Sequence, residues 1–423
     1  HKITTLTGVA IVVANMIGTG AFTSLGFQLK DLNNPSVVLT LWVLGGILAL
    51  SGAFSYAEVG TVISKSGGEY AFLSKIYNPL IGYLSGWISL TVGFAAPIAF
   101  SEYFPFGNFN VKWMSIALVA VITLIHTRSL KLSAEFQNIS TLLKVILIVI
   151  IISIGLVLPE HSGNEIVSSK GYFTELTSTA FAIALIYVSY SYSGWNAAAY
   201  ITEEFENPLK SLPKALIGGT VLVTVLYTLL QYVFLKHVPV NDLAGQLNVG
   251  TIATKQMLGE KAGSFFGLAI SLLLISGISA MVWVGPRVTL SIAKEHRLWS
   301  YFQTQENGIP KRALWLQFGI SALLLLTGTF EQIMIYCGIL LTASSLMTVL
   351  GVFKLRKQNQ NQQIKGFKSP LFPLFQIVFI LLSVWMITYA FINNPFETIL
   401  GMSNLLIGTG TYFWSKKLEK SNY

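Results

Sequence analysis

Charged residues are scarce in this sequence. Only 11% of its 423 residues are Asp, Glu, Lys or Arg, while 53% are hydrophobic. Soluble domains carry roughly 25% charged residues. The mean hydropathy is correspondingly high, at +0.64. So few charges cannot cover the surface of a water-soluble protein of this length, and we therefore expect lipid to cover much of it.

Cysteine and histidine are also rare. The single cysteine, Cys337, lies inside an apolar run, so the sequence holds no disulfide framework and no cluster of metal ligands. An integral membrane enzyme needs a constellation of His, Asp or Cys, and a channel needs a filter motif or a ring of like charges. We see neither, and we expect no enzyme activity, no cofactor and no metal. The five histidines are scattered at the ends of apolar segments: His1, His126, His161, His237 and His296.

Long apolar runs are abundant, for example at 142–158, 313–326 and 371–392. About twenty apolar residues in a helix cross a hydrocarbon core of roughly 30 Å. The sequence therefore predicts an all-α integral membrane protein with about twelve spans. We place these at 5–30, 35–63, 79–104, 111–127, 134–158, 173–204, 212–236, 262–292, 312–328, 331–355, 371–391 and 394–415.

The distribution of Lys and Arg predicts the orientation of these spans. With the N-terminus in the cytosol, 20 of the 27 cations fall in cytosolic segments, 6 fall in outer loops, and Lys144 lies within span 5. Cytosolic loops are enriched in Lys and Arg. We therefore expect a multi-pass protein of the cell membrane with both termini cytoplasmic, and we attribute the net charge of +9 to loop cations rather than to nucleic-acid binding.

Two spans are interrupted by glycine-containing segments, 15–20 in span 1 and 191–196 in span 6. The second break comes five spans after the first, so a second five-span unit would be inverted relative to the first. Paired interruptions of this kind are typical of transporter binding sites. We predict one transmembrane domain over 1–423, in which 1–158 forms the first repeat, 173–355 the inverted repeat and 371–415 two additional spans.

A broken helix within a membrane offers unpaired backbone groups to a ligand. The half-helix after Gly20 presents N–H groups and a positive dipole end, which suit a carboxylate. The half-helices that end near Ile17 and Tyr190 present carbonyls, which suit an ammonium group. A lone Gly-x-Gly is more often a helix-packing contact. Two breaks at matching positions favour a site for a zwitterion.

Several motifs resemble those of a known family. The segment 16–22, MIGTGAF, resembles the Ile-Gly-Ser/Thr-Gly-x-Phe motif of the amino acid–polyamine–organocation superfamily, and 66–70, SGGEY, resembles its first cytosolic loop. The segments GWN at 194–196 and TEE at 202–204 resemble the L-type amino acid transporters, most closely a bacterial one. This resemblance covers essentially the whole chain. It implies the LeuT-type fold, with five plus five inverted spans, and alternating access.

The resemblance also implies a set of substrate-binding residues. Gly18, Thr19 and Gly20 would hold the carboxylate, while Ile17 and carbonyls of span 6 would hold the amine. Tyr190 stands at the position of an aromatic gate that is commonly Phe, and Ser193 stands where the branch often has Gly. Asn196 could either contact the substrate or brace the broken backbone. The full set is Ile17, Gly18, Thr19, Gly20, Tyr190, Ser191, Ser193, Gly194 and Asn196.

Lys144 is a charged residue inside an apolar span, where charges are costly and are functional candidates. One alternative is that its side chain extends to the membrane surface. The resemblance implies instead that the lysine takes the place of a sodium ion between spans 1, 5 and 8, and ties the broken segment to the scaffold. Such a lysine is either a coupling site that binds protons or a fixed structural cation, and the sequence is compatible with both.

The predicted function is secondary transport of neutral, small L-amino acids, by exchange or by proton symport. We find no buried Asp or Glu near either break, and no spare arginine, which favours neutral substrates. Glu58 near the end of span 2 has either a structural role or a role in gating. A polyamine or organic-amine carrier of the same fold is an alternative, and it would need a carboxylate that faces the cavity.

The expected partners are the amino acid substrate, the lipid bilayer and possible coupling protons. Animal L-type carriers use an outer-loop cysteine to bind a heavy subunit. The loop after span 3 has no cysteine, so we expect no disulfide-linked heavy subunit.

Overall fold

The computed structural model describes residues 3–91, 110–128, 130–166, 170–304, 309–327, 330–359 and 366–420. Within these ranges the chain is helical and contains no β-strand, apart from an isolated parallel bridge between Ile3 and Phe205. The all-α prediction is therefore confirmed for the described residues.

Sixteen α-helices and two 3₁₀ helices lie in the described residues. In chain order they are α1 (Thr5–Met16), α2 (Gly20–Gln28), α3 (Pro35–Ile63), α4 (Glu69–Ile76), α5 (Pro79–Thr91), α6 (Val111–His126), α7 (Leu130–Val157), α8 (Tyr172–Leu176), α9 (Thr179–Ser191), the first 3₁₀ helix (Ala197–Glu204), α10 (Pro208–His237), α11 (Val240–Leu243), α12 (Val249–Glu295), the second 3₁₀ helix (Arg297–Gln303), α13 (Lys311–Thr327), α14 (Phe330–Gln358), α15 (Leu374–Asn393) and α16 (Pro395–Lys420).

Among the described residues, six helical segments are long and apolar enough to cross a membrane. They comprise α1 with α2, then α3, α10 and α15, and parts of α7 and α14. On α15 and α16 large apolar side chains point away from the protein, since Leu381 is 64% exposed and Leu406 is 72% exposed. Side chains of this kind are favourable only against lipid. The chain is a multi-pass membrane protein.

Proline and asparagine define where several helices begin. Pro35 and Pro208 occupy the first turns of α3 and α10, where a helix needs no donor from the proline nitrogen. Asn34 caps α3, because its side-chain oxygen accepts a hydrogen bond of 2.9 Å from the Ser36 amide. These local signals agree with the span starts predicted at 35 and, within four residues, at 212.

The structure refines several predicted spans. Span 6 is preceded by the separate short helix α8, and its second half is a 3₁₀ helix. Span 8 was predicted at 262–292, whereas α12 begins at Val249 and changes direction at Gly259, whose φ is +80°. The predicted short spans 4 and 9 correspond to α6 and α13, of 16 and 17 residues. The part of span 3 beyond Thr91 lies outside the described residues.

An aromatic cluster at the centre joins α3, α9 and α10. The Trp42 ring lies 6.0 Å from that of Tyr192 and 5.5 Å from that of Tyr227, and the two tyrosine rings are 5.2 Å apart. All three side chains are buried. Because such aromatic pairs are stabilising, this cluster holds α3, the end of α9 and α10 together.

Candidate functional site

The first helix break lies between α1 and α2. Helix α1 ends at Met16, and Ile17 leaves the helical conformation with φ −74° and ψ 85°. The Gly18 amide then donates a hydrogen bond of 2.8 Å to the Met16 carbonyl, and α2 restarts at Gly20. Ile17 and Thr19 are buried. Since the first turn of a helix has N–H groups without intrahelical partners, the start of α2 offers donors inside the protein.

The second break lies between α9 and the first 3₁₀ helix. Helix α9 ends at Ser191, and Gly194 adopts a φ of +98°, a conformation that favours glycine. A Cβ at this position would lie only 2.7 Å from the Asn15 carbonyl carbon and oxygen. Both the backbone angle and the close approach to α1 therefore require glycine here.

The two breaks are in direct contact. A Cβ on Gly20 would lie 2.6 Å from the Ser191 hydroxyl and 2.7 Å from its Cα. The Ser24 and Ser191 hydroxyls share a hydrogen bond of 2.8 Å. Together with the approach of Gly194 to Asn15, these contacts place the two interrupted segments side by side at the centre of the protein.

One buried polar group at this contact has no hydrogen-bond partner among the described residues. The Thr19 hydroxyl oxygen is buried and has no hydrogen-bond partner among the described residues. Beside it, a Cβ on Gly18 would meet no atom nearer than the Met16 carbonyl oxygen, at 4.0 Å. Buried hydroxyls are normally hydrogen-bonded, so this pairing of an unpartnered hydroxyl with open space is compatible with a polar ligand.

The predicted site residues divide into two groups in space. Ile17, Gly18, Thr19, Gly20 and Ser191 lie at the contact between the breaks. The remaining residues line an adjoining cavity of about 70 Å³, together with Thr342 of α14 and Phe379 of α15. They are Tyr190, Ser193, Gly194 and Asn196.

Three side chains bind backbone carbonyls of the first break. The Lys144 ammonium of α7 donates to the Ile17 carbonyl at 2.5 Å. From α10, the Tyr227 hydroxyl donates to the Met16 carbonyl at 2.6 Å and the Gln231 amide donates to the Ala21 carbonyl at 2.8 Å. The lysine side chain is only 1% exposed, so it does not extend to the membrane surface.

Helix α12 lies directly beside this lysine. A Cβ on Gly277 would be 3.4 Å from the Lys144 nitrogen and 3.5 Å from the Ile17 oxygen. The ammonium therefore sits where α1, α7 and α12 meet, the location that the family resemblance implies. Tyr227 and Gln231 were not predicted, because a polar residue on a long apolar helix carries no local sign of what it will contact.

A buried carboxylate lies beside the second break, contrary to the prediction. The Glu69 Oε1 atom accepts hydrogen bonds from the Asn196 amide at 2.6 Å and from the Tyr56 hydroxyl at 2.8 Å. Its Oε2 atom has no hydrogen-bond partner among the described residues. The prediction was wrong because Glu69 belongs to a connecting segment, which folds as α4 beneath the break.

An arginine also lines the interior. Arg287 of α12 borders two adjoining cavities. The smaller, of about 130 Å³, is also lined by Asn15 beside the first break, and the larger, of about 380 Å³, by the loop residue Ser66. Its Nε atom is 3.4 Å from a Glu204 oxygen. Arg287 therefore faces the cavities as one half of an ion pair, and the expectation of no spare arginine stays a prediction.

Glu58 has a clear structural partner. Arg356 binds both of its carboxylate oxygens, at 2.7 Å and 2.8 Å, and the Ser369 amide donates to Oε2 at 2.8 Å. The side chain of Glu58 is only 5% exposed. Of the two roles left open for Glu58, these contacts support the structural one, which fastens α3 to α14 and to the segment before α15.

Two interrupted helices that meet side by side within a multi-pass membrane protein are typical of transporter binding sites. The sequence profile of the amino acid permease family matches residues 3–412, and the chain belongs to this family. It is similar to the b(0,+)-type amino acid transporter 1 of Mus musculus, at 29% identity over 98% of this chain and 89% of the relative.

Two further relatives match nearly the full length. The serine/threonine exchanger SteT of Bacillus subtilis is 26% identical over 98% of this chain and 97% of its own. The human cystine/glutamate transporter is 26% identical over 99% and 86% respectively. These matches confirm the resemblance to the amino acid–polyamine–organocation superfamily, and they indicate amino acid transport rather than catalysis.

Proposed function

We propose that the protein carries neutral, small L-amino acids across the cell membrane by alternating access, as an exchanger or a proton symporter. The observation that carries this proposal is the contact between the two helix breaks, where Gly20 and Gly194 bring interrupted backbone segments together. The α2 start would bind the carboxylate. The carbonyls at Ile17 and at the end of α9 would bind the ammonium group.

The size of the cavity and the name of one relative both support substrates with small, uncharged side chains. The cavity beside the breaks is about 70 Å³, and Ser193 and Tyr190 both narrow it. One full-length relative is named a serine/threonine exchanger. We therefore assign the substrate class to small neutral amino acids such as alanine, serine and threonine, with Tyr190 as the gate.

Glu69 supplies the observation that favours a second candidate. A polyamine or organic-amine carrier needs a carboxylate near the binding cavity, and Glu69 contacts the cavity residue Asn196. Its Oε1 atom already accepts two hydrogen bonds, and the Tyr200 side chain also interacts with this carboxylate. We rank this candidate second, since both donors to Glu69 are protein groups.

We further propose the LeuT-type arrangement of about twelve spans, with repeats at 1–158 and 173–355 and two additional spans at 371–415. The Lys and Arg distribution supports cytoplasmic termini. The only cysteine, Cys337, is buried in α14, which supports transport without a disulfide-linked heavy subunit.

Uptake of radiolabelled alanine into proteoliposomes tests the proposal. Vesicles preloaded with unlabelled alanine are compared with empty vesicles under an inward proton gradient, and protein-free vesicles serve as the control. Uptake only after preloading indicates obligatory exchange, with Lys144 as a fixed cation. Accumulation driven by the gradient alone indicates proton symport and makes Lys144 the first candidate for the coupling site.

Absence of alanine uptake in both conditions contradicts the proposal. Competition by putrescine or another organic amine would then establish the amine-carrier alternative, and replacement of Glu69 by Gln would be expected to abolish that transport.

A further inference from the structure

Two adjoining cavities form a vestibule that connects the first break to the protein surface. The smaller, of about 130 Å³, is lined mainly by apolar side chains and reaches Ala14 and Asn15 at the break. The larger, of about 380 Å³, includes His126 and Lys294 among its lining residues. Glu204, Trp283 and Arg287 line both, so any solute that moves between the two cavities passes this trio.

The ion pair at this point is loose. The Arg287 Nε atom lies 3.4 Å from the Glu204 oxygen, whereas charge-assisted hydrogen bonds of this kind are usually about 2.7–2.9 Å. Besides its contact with Glu204, the guanidinium donates a hydrogen bond of 3.2 Å to the Trp283 carbonyl and lies 5.4 Å from the centre of the Trp283 ring. An arginine has five N–H donors in a planar fork that matches a carboxylate, so Arg287 has donors to spare for a ligand.

The surroundings match the parts of a neutral amino acid. Arg287 offers a positive group and Glu204 a negative one at the junction of the cavities, and Glu204 is 40% exposed in its side chain. On the break side, Ile11, Ala280 and Val284 provide an apolar wall. A ligand with a carboxylate, an ammonium group and a small apolar side chain could therefore satisfy all three surfaces at once.

We propose that Arg287 and Glu204 form a second, weaker amino-acid subsite in the vestibule, which the substrate occupies between the central breaks and the open side. Arg287 takes the substrate carboxylate and Glu204 takes its ammonium group, so that their mutual ion pair is exchanged for two pairs with the ligand. This inference rests on the proposed transport of neutral amino acids, and it adds a second binding site to the transport path.

The test measures the alanine KM from each side of the membrane. Purified full-length protein with a carboxyl-terminal affinity tag is reconstituted, and vesicles of the two orientations are separated by capture of the tag. For Arg287→Gln, the KM on the vestibule side should rise about tenfold, as expected for loss of hydrogen bonds to a charged group in a partly exposed site. The KM on the opposite side should stay within about twofold of the wild-type value.

Lys294→Gln is the matched control. It removes a positive charge from the same cavity but does not touch the proposed subsite, and its KM should be unchanged on both sides. An equal rise in KM for Lys294→Gln and Arg287→Gln would overturn the subsite in favour of a general effect of charge. Because the opposite-side KM is measured on the same protein, it reports whether the Arg287 variant has folded.

The outcomes separate this inference from the proposed function. If the wild-type protein exchanges alanine but Arg287→Gln keeps the wild-type vestibule-side KM, the subsite is overturned and the transport function stands. A proportional loss of rate from both sides, without a change in KM, would also overturn it and assign the ion pair to gating. If the wild-type protein transports no alanine, both are overturned.

Discussion

Gly18 offers the sharpest test of where the substrate binds. Its backbone angles lie outside the left-handed region, and a Cβ at this position would meet no atom nearer than 4.0 Å. The Gly18→Ala variant should therefore fold normally. Its added methyl group would nevertheless occupy open space at the first break, where we place the substrate.

The size of the effect follows from the cost of an extra methyl group in a filled site. Overpacking by one such group typically costs about 1–3 kcal/mol. If the substrate fills the space, this cost appears as a KM raised by about 5- to 150-fold, since each 1.4 kcal/mol corresponds to a factor of ten. The free energy of unfolding of the substrate-free protein should be almost unchanged, because no protein atom is displaced.

Two measurements on each variant are sufficient. Thermal unfolding in detergent without substrate reports stability, and alanine exchange in proteoliposomes reports KM. Gly319→Ala on α13 is the control for added methyl groups, since its Cβ also meets nothing within 4 Å. Gly20→Ala is the opposite case and should lower the melting temperature, because its Cβ would lie 2.7 Å from the Ser191 backbone. A Gly18→Ala protein with the wild-type KM would refute the placement of the substrate.

Three further substitutions test the supports of the site. Lys144→Met should abolish exchange and lower the melting temperature, because the Ile17 carbonyl loses a charged donor worth about 1.5–3 kcal/mol; a variant with normal exchange would contradict this. Glu58→Gln should lower the melting temperature. Removal of one partner of a buried ion pair costs up to about 3–5 kcal/mol, and the partial exposure of Arg356 places the cost below that limit. The alanine KM should stay at the wild-type value. Gly194→Ala should reduce the yield of folded protein, measured by size-exclusion chromatography, because its φ is +98° and the α1 backbone lies 2.7 Å from the new Cβ; a normal yield would show that the second break can relax.

Local sequence features predicted the positions of both breaks and of the lysine beside them. Glycines within an apolar span, as at 18 and 20, are visible in the sequence because they contrast with their neighbours. Lys144 is visible for the same reason, as a charge in an apolar run. The all-helical class followed from the same apolar runs. In each case the signal lies within about one span of the residue that it concerns.

The missed residues depend on contacts between distant parts of the chain. Glu69 and Asn196 are 127 positions apart, and their hydrogen bond exists only because α4 folds beneath the second break. The contact of Arg287 with Glu204 likewise joins two helices that are distant in the sequence. The twelve-span count, the inverted repeat and the orientation of the termini remain predictions.

The four half-helices at the breaks are tied together in two pairs, which bears on how alternating access would work. The Ile3 amide donates to the Glu204 carbonyl at 2.7 Å, and the Glu206 amide donates to the Ile3 carbonyl at 3.1 Å, so α1 is joined to the first 3₁₀ helix. On the other side of the breaks, α2 is completely buried and Ser24 binds Ser191 of α9.

If the protein works by alternating access, as we propose, each pair would move as a unit and the breaks would act as hinges between the pairs. On the side of α2 and α9, the Gly245 amide also binds the Gly26 carbonyl at 2.7 Å. The vestibule cavities border the other pair, next to Asn15 and Glu204. A substrate at the breaks would then leave by way of Arg287. This direction follows from the position of the cavities beside α1 and the first 3₁₀ helix, and it is the reason that we place the charged subsite on that side.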